Sequence, residues 1–150
     1  MSDVETVTRV VPAPPEKIFA LLADASRHRD FDGSGTVRSA QGSPEPLQLG
    51  SRFGTNMRIV VPYTMVNTVV EFEQDRRIAW QPRPAYPLVD RLIGGRIWRY
   101  ELEPVDGGTL VRESWDITQE AVPLFVRPLR GQARAAMEKT LERLEQLVAG

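Results

Sequence analysis

AVPLFVRPLRGQARAAMEKTLERLEQLVAG, residues 121–150, is the stretch that decides the fold. From Leu129 onward its apolar side chains recur every three or four residues, which at 100° per residue places them on one stripe of a single long helix. The residues of this stripe are Leu129, Ala133, Met137, Leu141, Leu144 and Val148. Charged residues fill the rest of the helical wheel, so we expect the helix to lie on a surface that the remaining chain supplies. Pro123, Pro128 and Gly131 predict an irregular or kinked start.

The composition is that of an ordinary globular domain. The chain has 150 residues, a formal net charge of −1 and 41% hydrophobic residues, which predicts a single globular domain over residues 1–150 with a sizeable core. Its 19 basic and 20 acidic residues are interspersed, so neither a nucleic-acid site nor stable membrane insertion is expected. The sequence has no cysteine, which excludes disulfides and thiol nucleophiles. The polar start and the lack of a long apolar run predict a cytoplasmic protein, and no pattern indicates an oligomeric state.

The first half of the chain alternates strand and helix signals. Val4 to Val11 is rich in Val and Thr and predicts a strand. Pro14 and Pro15 then favour a first helical turn, and the helix is expected to run to about Ala23. The polar segment 26–35 predicts a short helical turn and a loop, and further strands are expected within 36–39 and 52–61.

Two hairpins have a register that the sequence predicts. Between residues 63 and 82, a tight turn at 74–76 pairs Phe72 with Ile78, Val70 with Trp80 and Glu73 with Arg77. Between residues 96 and 117, the chain turns at Val105-Asp106-Gly107-Gly108. The expected pairs there are Trp98 with Trp115, Tyr100 with Glu113, Leu102 with Val111 and, on the other face, Glu101 with Arg112.

Two motifs resemble a known superfamily. Ala13-Pro14-Pro15-Glu16-Lys17-Ile18-Phe19-Ala20-Leu21-Leu22-Ala23-Asp24 resembles the opening helix motif of the START-like (SRPBCC) superfamily of polyketide cyclases/dehydrases and lipid-transport proteins. Asp106-Gly107-Gly108-Thr109-Leu110-Val111 is similar to the hairpin that precedes the last strand of that family. The resemblance implies an α+β helix-grip fold: a curved antiparallel sheet wrapped around the long C-terminal helix, with two short helices near the N-terminus and an apolar cavity inside.

The second hairpin carries the candidate site. One of its faces is apolar except for the phenol of Tyr100, which lies directly opposite the carboxyl of Glu113. An apolar pocket uses a few such polar groups to fix the orientation of its ligand. A desolvated Glu113 is expected to have a raised pKa and could donate a hydrogen bond or a proton. The alternatives are a purely structural Tyr–Glu hydrogen bond and a Glu113 that lies near the cavity mouth in contact with water. The expected ligand-binding residues are Trp80, Trp98, Tyr100, Glu113, Trp115, Phe125, Leu129 and Met137.

Other chemistry has little support in the sequence. His28 is the only histidine and lies among Arg27, Arg29 and Asp30, so we expect it in solvent and without a catalytic role. The segment beginning at Asp30 faintly resembles a calcium loop, but its twelfth position is Gln41 rather than a bidentate Glu. No metal site, phosphate loop or dinucleotide fingerprint is found, so no cofactor is expected.

These observations favour binding of a hydrophobic or amphipathic small molecule, such as a lipid or polyketide, in a cavity of at least a few hundred Å³ under the C-terminal helix. The alternative is an enzyme of the polyketide cyclase/dehydrase type that uses Glu113 and Tyr100 as acid and base. Against it stands the lack of a histidine in the expected pocket. A further alternative is a protein-interaction module that docks a partner through 86–93 or 121–129. The ligand itself is not encoded in any pattern.

Overall fold

The computed structural model describes residues 3–33, 37–41, 45–58, 62–84, 86 and 94–149. Its strands are β1 (Val4–Val11), β2 (Val37–Gln41), β3 (Arg52–Arg58), β4 (Pro62–Glu73), β5 (Arg77–Pro84), β6 (Ile97–Val105) and β7 (Gly108–Asp116). Its α-helices are α1 (Pro15–Leu22), α2 (His28–Phe31), α3 (Pro123–Val126) and α4 (Arg130–Ala149). Short 3-10 turns at Ala25–Arg27 and Arg127–Leu129 lead into α2 and α4.

The strands within these residues form one sheet in which every neighbouring pair is antiparallel. The spatial order is β1-β7-β6-β5-β4-β3-β2, so all connections except that from β1 to β2 join adjacent strands. The sheet curves around α4, and two short helices follow β1. This arrangement confirms the predicted helix-grip fold.

The predicted register of the second hairpin is confirmed at every pair. Trp98 lies opposite Trp115, Tyr100 opposite Glu113, and Leu102 opposite Val111, with Val105 and Gly108 closing the turn. Gly107 has φ +88°, a conformation that glycine adopts without the steric cost that a side chain would bring. The turn and the alternation of apolar residues therefore specify the same register.

The register of the first hairpin is right near its turn and wrong further along. Phe72 faces Ile78 as predicted, and Glu73 faces Arg77, but Trp80 lies opposite Val69 rather than Val70. The ladder shifts between Val69 and Glu71, which is the signature of a β-bulge. Val70, the extra residue, is exposed, so the bulge keeps the buried side chain of Val69 on the inner face of the sheet.

Helix α4 buries the predicted apolar stripe from Ala133 onward. Met137, Leu141 and Leu144 are at most 1% exposed, and Thr140 is also buried. Ion pairs attach the helix to β1, since Glu5 accepts hydrogen bonds from Arg130 and Arg134 at 2.7 Å each. The expected irregular start is confirmed by α3 and the 3-10 turn that precede Arg130.

Asp32 and Gly33, which follow α2, contact α4 on a different side from β1. The backbone N–H of Gly33 donates to Thr140 Oγ1 at 2.8 Å, and the Arg143 guanidinium donates to the carbonyl of Asp32. A Cβ at Gly33 would lie 2.1 Å from the carbonyl oxygen of Ala136, so a residue without a side chain is needed at this contact. These contacts hold α2 against the middle of α4.

Candidate functional site

The inner side of the β6–β7 hairpin is the centre of the candidate site. Directly opposite residues of antiparallel strands project to the same face, so Tyr100 and Glu113 are neighbours. Tyr100, Glu113 and Trp115 are 4% exposed or less, and Trp98 is half-buried and packs against the core. The structure therefore brings together the four hairpin residues that the sequence singled out.

Glu113 is a buried carboxyl with one oxygen that has no hydrogen bond to the described residues. Its side chain is hydrogen-bonded to Tyr100, whereas Oε1 has no hydrogen-bond partner among the described residues. Burial raises the pKa of Glu113 well above its ordinary value, the Tyr100 hydrogen bond acts in the opposite direction, and the charge of Asp32 raises the pKa further. The neutral carboxyl is thus favoured, and its Oε1 is a buried polar atom without a hydrogen bond to the described residues.

Tyr100 is held in its neutral form as well. Burial raises its pKa well above the ordinary value, and the neighbouring acids Glu113 and Asp32 act in the same direction. One hydrogen bond between a neutral phenol and a neutral carboxyl uses only one of their two O–H donors. Oε1 of Glu113 then remains as the group with unused capacity.

His28 is buried, contrary to the expectation that it lies in solvent. Only 5% of the residue is exposed, and its ring stacks on Trp80 with a centroid distance of 4.6 Å and an interplanar angle of 19°. The imidazole Nε2 lies 2.9 Å from the carbonyl oxygen of Leu22, so this nitrogen donates. Burial lowers the pKa of His28 to about 4, and the ring is therefore neutral at pH 7.

The position of His28 follows from the orientation of α2. Its charged neighbours turn outward, since Arg27 and Asp30 form an ion pair at 2.6 Å on the surface. The imidazole turns inward between Phe31 and Phe53, whose centroids lie 5.3 and 5.1 Å away. A histidine is thus present beside the candidate site, although its Nε2 is already engaged by the backbone.

An aromatic series links His28 to the carboxyl. Trp80 stacks on His28 and lies 5.3 Å from Tyr100 between ring centroids, and Tyr100 is hydrogen-bonded to Glu113. Trp80 is itself 8% exposed. The series extends from α2 across β5 and β6 to β7, so one side of the interior has an aromatic wall.

Two of the expected ligand-binding residues lie at the surface. Phe125 is 56% exposed and Leu129 is 38% exposed, whereas Met137 is fully buried in the interior. The physical reason is the break at Pro128: the 3-10 turn interrupts the helical phase, so the stripe extends only over α4. Their expected place inside the molecule is therefore wrong.

Two buried polar groups and one partly buried acid were missed by the sequence reasoning. Asn67 on β4 donates to the carbonyl of Phe53 at 3.2 Å and to Thr55 Oγ1 at 3.0 Å, and both Asn67 and Thr55 are buried. Asp32, after α2, acts electrostatically on Glu113 and Tyr100. A polar residue in alternation with apolar ones, as in Asn67-Thr68-Val69, was the available signal on β4.

The described residues outline a pocket that is separate from the expected cavity. That pocket, of about 390 Å³, lies between α1 and the β4–β5 turn and shares no lining residue with the hairpin site. Its lining includes Glu16, Phe19, Asp24, Leu47 and Asp75. The expected cavity beside Glu113 remains a prediction.

The other expectations concern metals, membranes and docking. Among the described residues there is no group of three or more His, Asp or Glu side chains that could hold a metal ion. No helix within those residues is long and apolar enough to span a bilayer. Of the expected docking segments, Tyr86 is exposed and 87–93 lie outside the described residues, while Leu124 is 69% exposed.

Comparison with known proteins gives consistent matches. Residues 4–149 match the family model described as polyketide cyclase / dehydrase and lipid transport. An uncharacterized protein of Mycobacterium tuberculosis, Rv0088, is 36% identical over 108 residues, which cover 71% of this chain. The same alignment covers 44% of Rv0088, so the chain spans less than half the length of this curated relative.

Solved structures share the fold at low sequence identity. Protein MLL2253 from Mesorhizobium loti has a TM-score of 0.71 at 20% identity, over 97% of this chain and 96% of that one. Protein CV1439 from Chromobacterium violaceum has a TM-score of 0.73 at 15% identity, over 100% and 99% of the two chains.

Proposed function

We propose that this chain, which belongs to the polyketide cyclase / dehydrase and lipid transport family, binds a hydrophobic or amphipathic small molecule between its sheet and α4. The family and the fold suggest a ligand-binding role. The hairpin site supports a more specific one, in which apolar side chains hold the body of the ligand and the carboxyl of Glu113 orients a polar group.

The unpartnered oxygen of Glu113 carries this proposal. A buried polar atom without a hydrogen bond costs about 1–3 kcal/mol, so such atoms are rare in native proteins and call for an explanation. Glu113 Oε1 is buried, has no partner among the described residues and belongs to a residue that is 2% exposed. A ligand that hydrogen-bonds to Oε1 would remove the cost, and the neighbouring Trp80 and Trp115 would bury its apolar part.

A second candidate function uses the same carboxyl for chemistry. A neutral Glu113 could act as a general acid towards a polyketide-like chain, with Tyr100 as its hydrogen-bonding partner. The raised pKa of Glu113 favours this candidate over a purely structural carboxyl. In this candidate, Glu113→Gln abolishes turnover while binding persists, because an amide cannot supply the proton.

The proposal predicts that Met137→Trp weakens binding of the neutral apolar dye Nile red by about tenfold or more while the protein stays folded. Met137 is fully buried on α4, so a larger side chain there has to occupy the interior. Overpacking a filled core costs about 1–3 kcal/mol, whereas filling a void costs less. Fluorescence titration measures the affinity, and thermal unfolding measures the stability.

Gln146→Trp is the matched control, since Gln146 lies on the exposed side of the same helix. We expect it to leave both dye affinity and melting temperature unchanged. A large fall in the melting temperature of Met137→Trp with unchanged dye binding would show that Met137 is ordinary core and that the dye binds elsewhere.

A further inference from the structure

We infer that the interior selects its ligand by charge: it accepts amphiphiles whose polar group is an uncharged hydroxyl and rejects carboxylates and ammonium ions of the same chain length. This inference rests on the proposed function and adds the chemical class of the ligand.

The geometry of the Tyr100–Glu113 pair sets the first requirement for the ligand. Tyr100 and one oxygen of Glu113 are engaged with each other, and Oε1 is the oxygen without a partner among the described residues. In a neutral carboxyl this oxygen is either an O–H donor or a carbonyl acceptor. A hydroxyl group can serve as the partner in both cases, because it donates and accepts.

The position of Asp32 sets the second requirement. Gly33 and the carbonyl of Asp32 are fixed on α4 by Thr140 and Arg143, which keeps this acid close enough to act on both Glu113 and Tyr100. A bound carboxylate would lie close to two acidic groups, the buried Glu113 and the partly buried Asp32. It would therefore have to bind in its protonated form, which at pH 7 is roughly a hundredth or less of an ordinary carboxylic acid.

An ammonium group fails for a different reason. It has three N–H donors that all need acceptors once they leave water. Oε1 of Glu113 is the oxygen of the Tyr100–Glu113 pair without a hydrogen-bond partner among the described residues, and in a neutral carboxyl it offers at most one acceptor for these three donors. An ammonium could also bind with Glu113 ionised. The free-energy cost of removing both charges from water would then be offset only if the other N–H groups of the ammonium also found acceptors.

The test compares dodecan-1-ol, dodecanoate and dodecylammonium as competitors of Nile red at pH 7. We expect dodecan-1-ol to bind at least tenfold more tightly than either ion. Lowering the pH from 7 to 5 should strengthen dodecanoate binding by roughly fiftyfold or more, because the protonated fraction of an ordinary carboxylic acid rises by about that factor, and should leave dodecan-1-ol binding unchanged.

Two variants show whether Glu113 is responsible. Glu113→Gln keeps a donor and an acceptor, so the affinity for dodecan-1-ol should stay within tenfold of the parent. Glu113→Leu should lower it by about fivefold or more while Nile red still binds. Glu103→Gln is the control, since Glu103 lies on the same hairpin, exposed and paired with Arg112. It should change nothing.

The outcomes separate the two proposals. If neither Nile red nor any dodecyl compound binds, the proposed function itself is wrong. If Nile red binds and one of the ions binds as tightly as dodecan-1-ol or more tightly, the charge selection is wrong while the binding function stands. The pH dependence of dodecanoate binding in the parent decides the question even if Glu113→Leu fails to fold.

Discussion

Gly33→Ala is expected to lower the free energy of unfolding by about 3 kcal/mol or more, because the added methyl group has no room. The Cβ would lie 2.1 Å from the carbonyl oxygen of Ala136 and 2.7 Å from the backbone nitrogen of Thr140. Both atoms belong to the backbone of α4, so no side-chain rotation relieves the clash. The chain at Asp32–Gly33 would have to lift off the helix and lose its hydrogen bond to Thr140.

Chemical denaturation of the parent and the variant measures this effect. Gly131→Ala is the matched control because no atom lies within 4 Å of the Cβ it would add. It removes a glycine from a helix and should stabilise the protein by up to about 1 kcal/mol. Equal stability of Gly33→Ala and the parent would mean that Asp32 and Gly33 do not pack against α4 as they do in the structure.

The second large effect is a loss of stability on acidification that comes from His28. The ordinary pKa of 6.5 falls to about 4 in the folded protein because the ring is buried. The unfolded chain therefore binds a proton that the folded chain does not, between pH 6.5 and about 4. Stability is highest above pH 6.5, falls as the pH drops through this window and levels off below it, by a total of about 3 kcal/mol.

Glu113 opposes this trend, so the measurement has to separate the two groups. Its pKa is raised in the folded state, and it therefore adds stability as the pH falls towards the ordinary value of 4.5. The loss of stability between pH 6.5 and about 4 is best measured in Glu113→Gln, where the contribution of Glu113 is absent. Because His28 is the only histidine of the chain, its imidazole NMR signals can be titrated without overlap. A His28 signal that titrates near pH 6.5 would contradict the burial of the ring.

The features that the sequence predicts correctly are those with a local cause. The register of the β6–β7 hairpin follows from one turn and from alternation over nine residues on each strand, 97–105 and 108–116. The stripe on α4 follows from an uninterrupted helix. In both cases a residue's face is set by its distance along the chain from a fixed point, so the pairing of Tyr100 with Glu113 is predictable.

The features that it misses depend on distant parts of the chain or on a break in the phase. His28 is buried because Phe53 and Trp80 come from other strands, and nothing in its charged neighbourhood specifies which side chain turns inward. The bulge at Val70 and the 3-10 turn before Arg130 each shift the period. A periodic pattern cannot locate such a shift, and for this reason the expected partner of Trp80 and the expected positions of Phe125 and Leu129 are wrong.

The most direct measurement of the binding site is the ¹³C NMR signal of the Glu113 side-chain carboxyl during a titration with dodecan-1-ol. Its assignment follows from the signal that disappears in Glu113→Gln. We expect this signal to shift in a saturable manner, with the same midpoint as the displacement of Nile red, while the signal of the exposed Glu103 stays in place. Displacement of Nile red with an unmoved Glu113 signal would contradict a ligand site at the β6–β7 hairpin.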